Sequence, residues 1–211
     1  MPVAAPEPNR SARKRKLILA AATQAFLSHG YDGTSMDDVA ALAAVSKPTV
    51  YKHFADKERL FYAIVLATTD PMSELVGLVA EAFPDPDDLE RDLRAFARQF
   101  IRALMQPDVL RLRRLVIANA ERFPEMGRAW YEHGFERALV ALARQFERLT
   151  EQRLLAADDP EMAANHFVGL LLWIPVNRVM FTGATDATPD AELTPFADAA
   201  VRVFLRAYGC S

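Results

Sequence analysis

From Ser46 to Lys57 the chain reads SKPTVYKHFADK, a run with no acidic residue before Asp56. Lys47, Lys52 and Lys57 supply ammonium groups, Ser46 and Thr49 supply hydroxyls, and Tyr51 and His53 supply rings with polar tips. Gathered on one surface, such groups hydrogen-bond base edges and neutralise phosphates, which is the chemistry of duplex DNA recognition. Val50 and Phe54 lie four residues apart and form the apolar ridge that must be buried for the others to face outward.

That surface needs a short helix, and the flanking sequence supplies its limits. Ser46 is a candidate N-cap and Pro48 falls in the first turn, where a missing N–H costs little. An earlier helix is marked by Met36, Val39, Ala40 and Ala43, spaced i, i+3, i+4 and i+7. Thr34 or Ser35 can cap it, and Asp37 or Asp38 suits the positive end of its dipole and can complete a capping box. Further upstream, Arg10 and the run Arg13 to Lys16 lead into a helix with Ile18, Ala21, Ala22, Ala25 and Phe26 in helical period, stopped at His29-Gly30. A following helix opens at Asp56. Lys57 in its first turn opposes the helix dipole, a poor choice for stability alone and a good one for holding a phosphate beside free amides.

Two amphipathic helices around a turn also serve as plain packing units, so the pattern alone leaves that reading open. For Tyr51 and His53 the other reading is closure of the motif against the next helix. For Arg13 to Lys16 it is a solvated helix start.

The run ILAAATQAFLSHGYDGTSMDDVAALAAVSKPTVYKHFADKERLF resembles the N-terminal domain of TetR-family transcriptional regulators, without a gap over residues 16 to 61. Its most specific parts are Phe26, Gly30 and Tyr31, the Thr34-Ser35 pair, and the segment from Val45 through Glu58. The resemblance implies that Lys47, Pro48, Thr49 and Tyr51 face the major groove. It also implies that Thr34, Thr49, Tyr51, His53 and Lys57 bond phosphates while Val50 and Phe54 stay in the core. With Ser35, Ser46 and Lys52 these residues make up the expected DNA face.

The formal net charge is −3, which suits a nucleic-acid binder only when it is divided along the chain. Residues 1 to 60 hold nine Lys plus Arg against six Asp plus Glu, so the basic character is local. The chain of 211 residues has room for a small reader and a larger domain. The expected division is a disordered arm over 1–10, a helix-turn-helix domain over 11–57 and a helical effector-binding and dimerisation domain over 58–211. The opening MPVAAPEPNRS has no apolar core of signal-peptide length, and the longest apolar run, Phe167 to Val176, is half of a membrane span. Cys210 is the single cysteine, so no disulfide forms within one chain. A soluble cytoplasmic protein is expected.

Beyond Lys57 the reading is all-α. A helix from about 57 bends or stops at Asp70-Pro71. Others follow at about 87–105, 108–121, 124–153 with an interruption at Gly134, 159–182 and 190–208. The segments LRRLVIANAERFPEMGRAWYEHGFERALVAL and DDPEMAANHFVGLLLWIPVNRVMF resemble the C-terminal domain of AefR-like TetR regulators, over residues 110 to 208.

Two surfaces are expected there. The helix over 190–208 carries Leu193, Phe196, Ala200, Val203, Phe204 and Ala207 along one stripe, and the helix over 159–182 is apolar nearly all round. In the family the last two helices pair across a two-fold axis. That implies a homodimer face containing Phe167, Leu171, Ile174 and Phe181 together with Phe196, Ala200, Val203 and Phe204. An effector pocket is expected from Phe96, Phe100, Leu112, Val116, Trp130, Phe135, Leu170, Trp173 and Asn177, although aromatics at helical spacing more often fill core. Pro175 should kink its helix and free the carbonyl near Leu171. His133 and His166 are rejected as metal ligands, so no metal site and no cofactor are expected. No nucleophile with its base and no phosphate-cradling glycine loop is present, so an enzyme is not expected.

The function expected from sequence is a repressor released from a palindromic operator by a small apolar effector. An effector-dependent activator or an architectural DNA-binding protein is the alternative.

Overall fold

In a computed structural model of the protein, residues 10–67, 76–80, 82–83 and 88–210 are described. The expected arm up to residue 9 and the stop at Asp70-Pro71 lie outside them. Regular structure among the described residues is helical apart from an isolated bridge between Leu155 and Gly209.

Four helices build the first unit: α1 (Arg10–His29), α2 (Met36–Leu42), α3 (Lys47–His53) and α4 (Lys57–Ala67). The second contains α5 (Leu89–Leu104), α6 (Pro107–Asn119), α7 (Pro124–Trp130), α8 (Arg137–Glu151), α9 (Pro160–Thr182) and α10 (Asp190–Tyr208). Between α7 and α8 the chain does not break at Gly134. It widens into a π-helical turn, Tyr131–Glu136, that keeps the axis running and buries Gly134. Pro175 lies inside α9 without ending it.

The apolar residues divide into two cores. The first gathers Ile18, Ala22 and Phe26 of α1, Val39, Val50, Phe54 and, from α4, Leu60, Phe61, Ile64 and Val65. Leu112, Leu115 and Val116 of α6 complete it together with Phe123 and Met126. Phe26, Tyr31, Phe61 and Phe123 form its ring cluster, with Tyr31 and Phe123 centroids 4.9 Å apart. The core of the first unit therefore extends past the boundary expected after residue 57, to Val65, and it is closed by helices from the second unit.

The second core packs α5, α8, α9 and α10 around Phe96, Phe100, Phe146, Phe167 and Phe204. Each fully buried ring contributes about 1.5–3 kcal/mol. Ion pairs fasten α5 to α10: Arg98 grips Asp198 with two hydrogen bonds of 2.9 and 2.8 Å, and Arg102 meets Asp190 at 2.9 Å. The end of α10 is tied down where the Ala156 amide donates to the Tyr208 carbonyl at 2.7 Å and the Tyr208 hydroxyl meets His166 Nδ1 at 2.6 Å.

Candidate nucleic-acid interface and ligand cavity

The α2–α3 unit is held by local hydrogen bonds that the sequence allows. Ser35 caps α2: its Oγ accepts from the Asp38 amide at 3.1 Å, and Asp38 Oδ2 accepts from the Ser35 amide at 2.9 Å, completing the capping box. The Ser35 hydroxyl also donates to Asp38 Oδ2 at 2.6 Å, and this bond, with the one from the Ser35 amide, holds the Asp38 carboxyl below its usual range. α1 ends where Gly30 adopts φ +73°, and a Cβ on Gly33 would collide with the His29 carbonyl oxygen. The turn between α2 and α3 puts Ala44 at φ +50°, a left-handed conformation that suits glycine better.

α3 is seven residues long and buries Val50, while Phe54 caps its end and is also buried. Ser46, Lys47, Pro48, Tyr51 and Lys52 are exposed, and Thr49 and His53 are half-buried. The Ser46 hydroxyl does not cap the helix as expected; it pairs with the Thr49 hydroxyl at 2.8 Å. Lys47 reaches back to Asp37 of α2, 2.8 Å away, and that hydrogen bond pushes its ammonium above the usual lysine range. Asp56 accepts from the Arg59 amide at 2.7 Å and so caps α4.

Two expected contributors to this face stand differently. Thr34 is only 3 % exposed, and its hydroxyl donates to the Gly30 carbonyl at 2.9 Å, so the side chain serves the α1–α2 turn instead of the surface. Lys57 Nζ lies over the Tyr31 ring, 4.4 Å from its centroid, and Arg122 covers the same ring at 5.1 Å. Arg122 also pairs with Asp32 at 2.9 Å, a link from the α6–α7 connection to the reader that sequence reading missed. Burial raises the Tyr31 hydroxyl above its ordinary pKa.

In the second unit the structure redistributes the expected residues. Phe167 and Leu171 have no exposure and Phe204 and Ala200 are buried, so all four belong to the monomer core and not to an outer face. α9 is apolar on every side, and the expectation chose its inner side. Its outer side shows Leu170, Trp173 (73 % exposed), Ile174 and Phe181 (87 % exposed), continued by Val203 of α10. Of the other residues expected at the dimer face, Ile174, Phe181 and Val203 are exposed and Phe196 is half-buried.

The expected pocket divides likewise. Phe96 and Phe100 fill the second core, and Leu112 and Val116 fill the first. Trp130 packs against the first core with Arg113 over its ring at 5.5 Å. Leu170 opens onto a shallow groove of about 690 Å³ between α9 and α10. Phe135, Trp173 and Asn177 do share a cavity, of about 370 Å³, with Leu139, Val168, Leu172, Val176, Asn165 and Arg113. Arg113 was missed because nothing in the run RLRRL separates an inward arginine from its solvated neighbours. Among the described residues no cluster of metal-ligating side chains occurs, and no helix is long and apolar enough to cross a membrane.

A short exposed helix with a basic and hydroxyl-bearing face, seated on a three-helix core and followed by a larger helical domain, is the architecture of a helix-turn-helix regulator. Residues 18–64 match the model of bacterial regulatory proteins of the tetR family, and residues 91–210 match the C-terminal domain of AefR-like transcriptional repressors. A TetR-family transcriptional regulator from Mesorhizobium loti is 48 % identical, with a TM-score of 0.89 over 96 % of this chain and all of that one. The flavonoid-responsive regulator FrrA is 32 % identical over 94 % of this chain and 98 % of its own, with a TM-score of 0.71. The transcriptional activator FasR of Mycolicibacterium smegmatis is 36 % identical over 87 residues, 41 % of this chain, and the match spans 38 % of FasR's own length. The chain belongs to the TetR family of transcriptional regulators.

Proposed function

We propose that the protein is a homodimeric repressor that reads a pseudo-palindromic operator with α3 and leaves it when a small, largely apolar effector enters the cavity beside α9. The observation that carries this reading is the position of α6. Its Leu112, Leu115 and Val116 pack in the core that supports α3, while Arg113 on the same helix lines the cavity. A ligand that moves α6 must disturb the base of the reader. Coupling then runs through α6 and α7 as well as α4, because Phe123 and Phe61 share one ring cluster.

The dimer follows from the outer side of α9. Leu170, Trp173, Ile174 and Phe181 are large apolar side chains left exposed on one helix, and a two-fold axis covers such a surface with its own copy. Two α3 helices about one DNA turn apart then read two half-sites. Release by a hundredfold requires the effector to favour the released form by about 2.7 kcal/mol. The small-molecule response named for FrrA and the repressor description of the matching C-terminal domain support this direction of control. FasR's name supports the opposite sign, activation, for the same architecture.

Selection of bound duplexes from a random pool tests the proposal. A palindromic consensus with half-sites one helical turn apart is the expected result. Recovery of single half-sites, or of no consensus at all, rejects it.

A further inference from the structure

We infer that the effector of this cavity is an acid: an apolar molecule carrying one carboxylate, held by the guanidinium of Arg113. The inference rests on the reading of the cavity as the effector site and names the chemical class that site takes.

The cavity wall is mostly hydrocarbon, with Leu139, Val168, Leu172 and Val176 facing Phe135 and Trp173, and no carboxylate lines it. Arg113 is half-buried and is paired with no carboxylate among the described residues; its one recorded contact is the face of Trp130, 5.5 Å away. Its neighbours behave otherwise. Arg111 pairs with Asp108 at 3.2 Å, and Arg114 donates to the Val179 carbonyl at 3.1 Å, closing the end of α9. Arg113 therefore stands apart on its own helix as a half-buried cation with no counter-charge among the described residues. Burial depresses its pKa, the direction expected of a charge held without compensation.

A cation so placed costs folding energy unless something later pairs with it. A planar guanidinium offers two parallel N–H donors, which a carboxylate meets with two charged oxygens and a hydroxyl or amide with a single neutral one. The two amides in the wall do not compete for that role. Each spends one N–H within its own helix, Asn165 to the Glu161 carbonyl at 2.9 Å and Asn177 to the Trp173 carbonyl at 2.7 Å, and keeps one N–H and its oxygen for a second polar group of the ligand. Neither amide carries charge, so the acid group is directed to the Arg113 cation and the apolar body to the leucine and valine wall. Because Arg113 follows Leu112 in α6, pairing it pulls on the helix that also closes the reader core.

The test uses the full-length protein and matched pairs of probes: biphenyl-4-carboxylic acid with its primary amide, and decanoic acid with decanamide. Calorimetric titration is expected to show at least one acid binding tenfold or more tightly than its amide. That preference should vanish in Arg113→Met and survive in part in Arg113→Lys, which keeps the charge and controls for misfolding of the methionine variant. Equal binding of acid and amide, an unchanged preference in Arg113→Met, or binding by no acid at all overturns the inference. A gel-shift assay with the selected operator is run in parallel. Amides that bind and release DNA sink the carboxylate assignment and leave the regulator intact; acids that bind through Arg113 without altering DNA binding do the reverse.

Discussion

α3 and α9 both present side chains to solvent, and they do so for opposite reasons. α3 is seven residues long with one buried ridge, so its outward set is whatever polar residues remain. α9 is 23 residues long and apolar nearly all round, so burying one apolar side leaves another facing outward. In the first case polarity marks the functional face. In the second, the proposed dimer face consists of apolar side chains that the monomer leaves exposed, and no contrast along the helix says which they are. An exposed lysine is ordinary, whereas an exposed Trp173 beside Phe181 asks for a partner.

The comparison breaks most sharply at the two sides of α9. Phe167→Ala removes a ring with no exposure that packs on Phe146 and Phe204, and it should cost about 3–5 kcal/mol in denaturant unfolding. Trp173→Asp, one and a half turns along, should leave the helical circular dichroism intact and shift the protein to monomer in light scattering. If Trp173→Asp unfolds the chain while Phe167→Ala changes only assembly, the assignment of the two sides is reversed.

On α3, Tyr51→Ala should weaken operator binding by about 1–3 kcal/mol while the melting temperature stays nearly fixed, because the ring is exposed. Lys57→Ala is a less selective probe, since its ammonium also sits on the Tyr31 ring. A large loss of stability in Tyr51→Ala would give that ring a packing role in place of a reading one.

Asp198→Asn sharpens the contrast between polar and apolar fastening in the second unit. Arg98 holds the Asp198 carboxyl below its ordinary pKa, so the pair's contribution is complete above the unfolded value of about 3.9 and is lost as pH falls through the lower folded value. The variant should therefore lose about 1 kcal/mol at neutral pH and approach the parent's stability under strong acid. Stability curves that stay parallel through that acid window would show that the pair contributes through packing alone.

The smallest effect is expected in the turn before α3. Ala44→Gly relieves a left-handed alanine at φ +50° and should raise stability by roughly 0.5–1 kcal/mol, read from the thermal midpoint. No gain would mean that the turn relaxes away from this conformation in solution.

How far the chain could be read from its residues depended on whether a local signal existed. The capping box of Ser35 and Asp38, the stop at Gly30 and the Asp56 cap each involve residues within four positions, and α10 begins and ends where its pattern predicts. Thr34 misled because hydroxyl chemistry does not distinguish a phosphate from a nearby carbonyl. Phe96, Phe100, Leu112 and Val116 were assigned to a pocket because an aromatic or aliphatic residue at helical spacing looks the same whether it fills a core or lines a void.

What the order of residues decided alone was the helical class, the limits of most helices and the polar face of α3, because caps, breakers and a single apolar ridge act over one or two turns. Tertiary packing decided which side of α9 is inner, where the first core ends and that Arg113 lines a cavity. Those outcomes depend on which distant helices meet, as when α6 closes the core begun by α1, and a helix apolar nearly all round carries little internal sign of where its neighbours will lie.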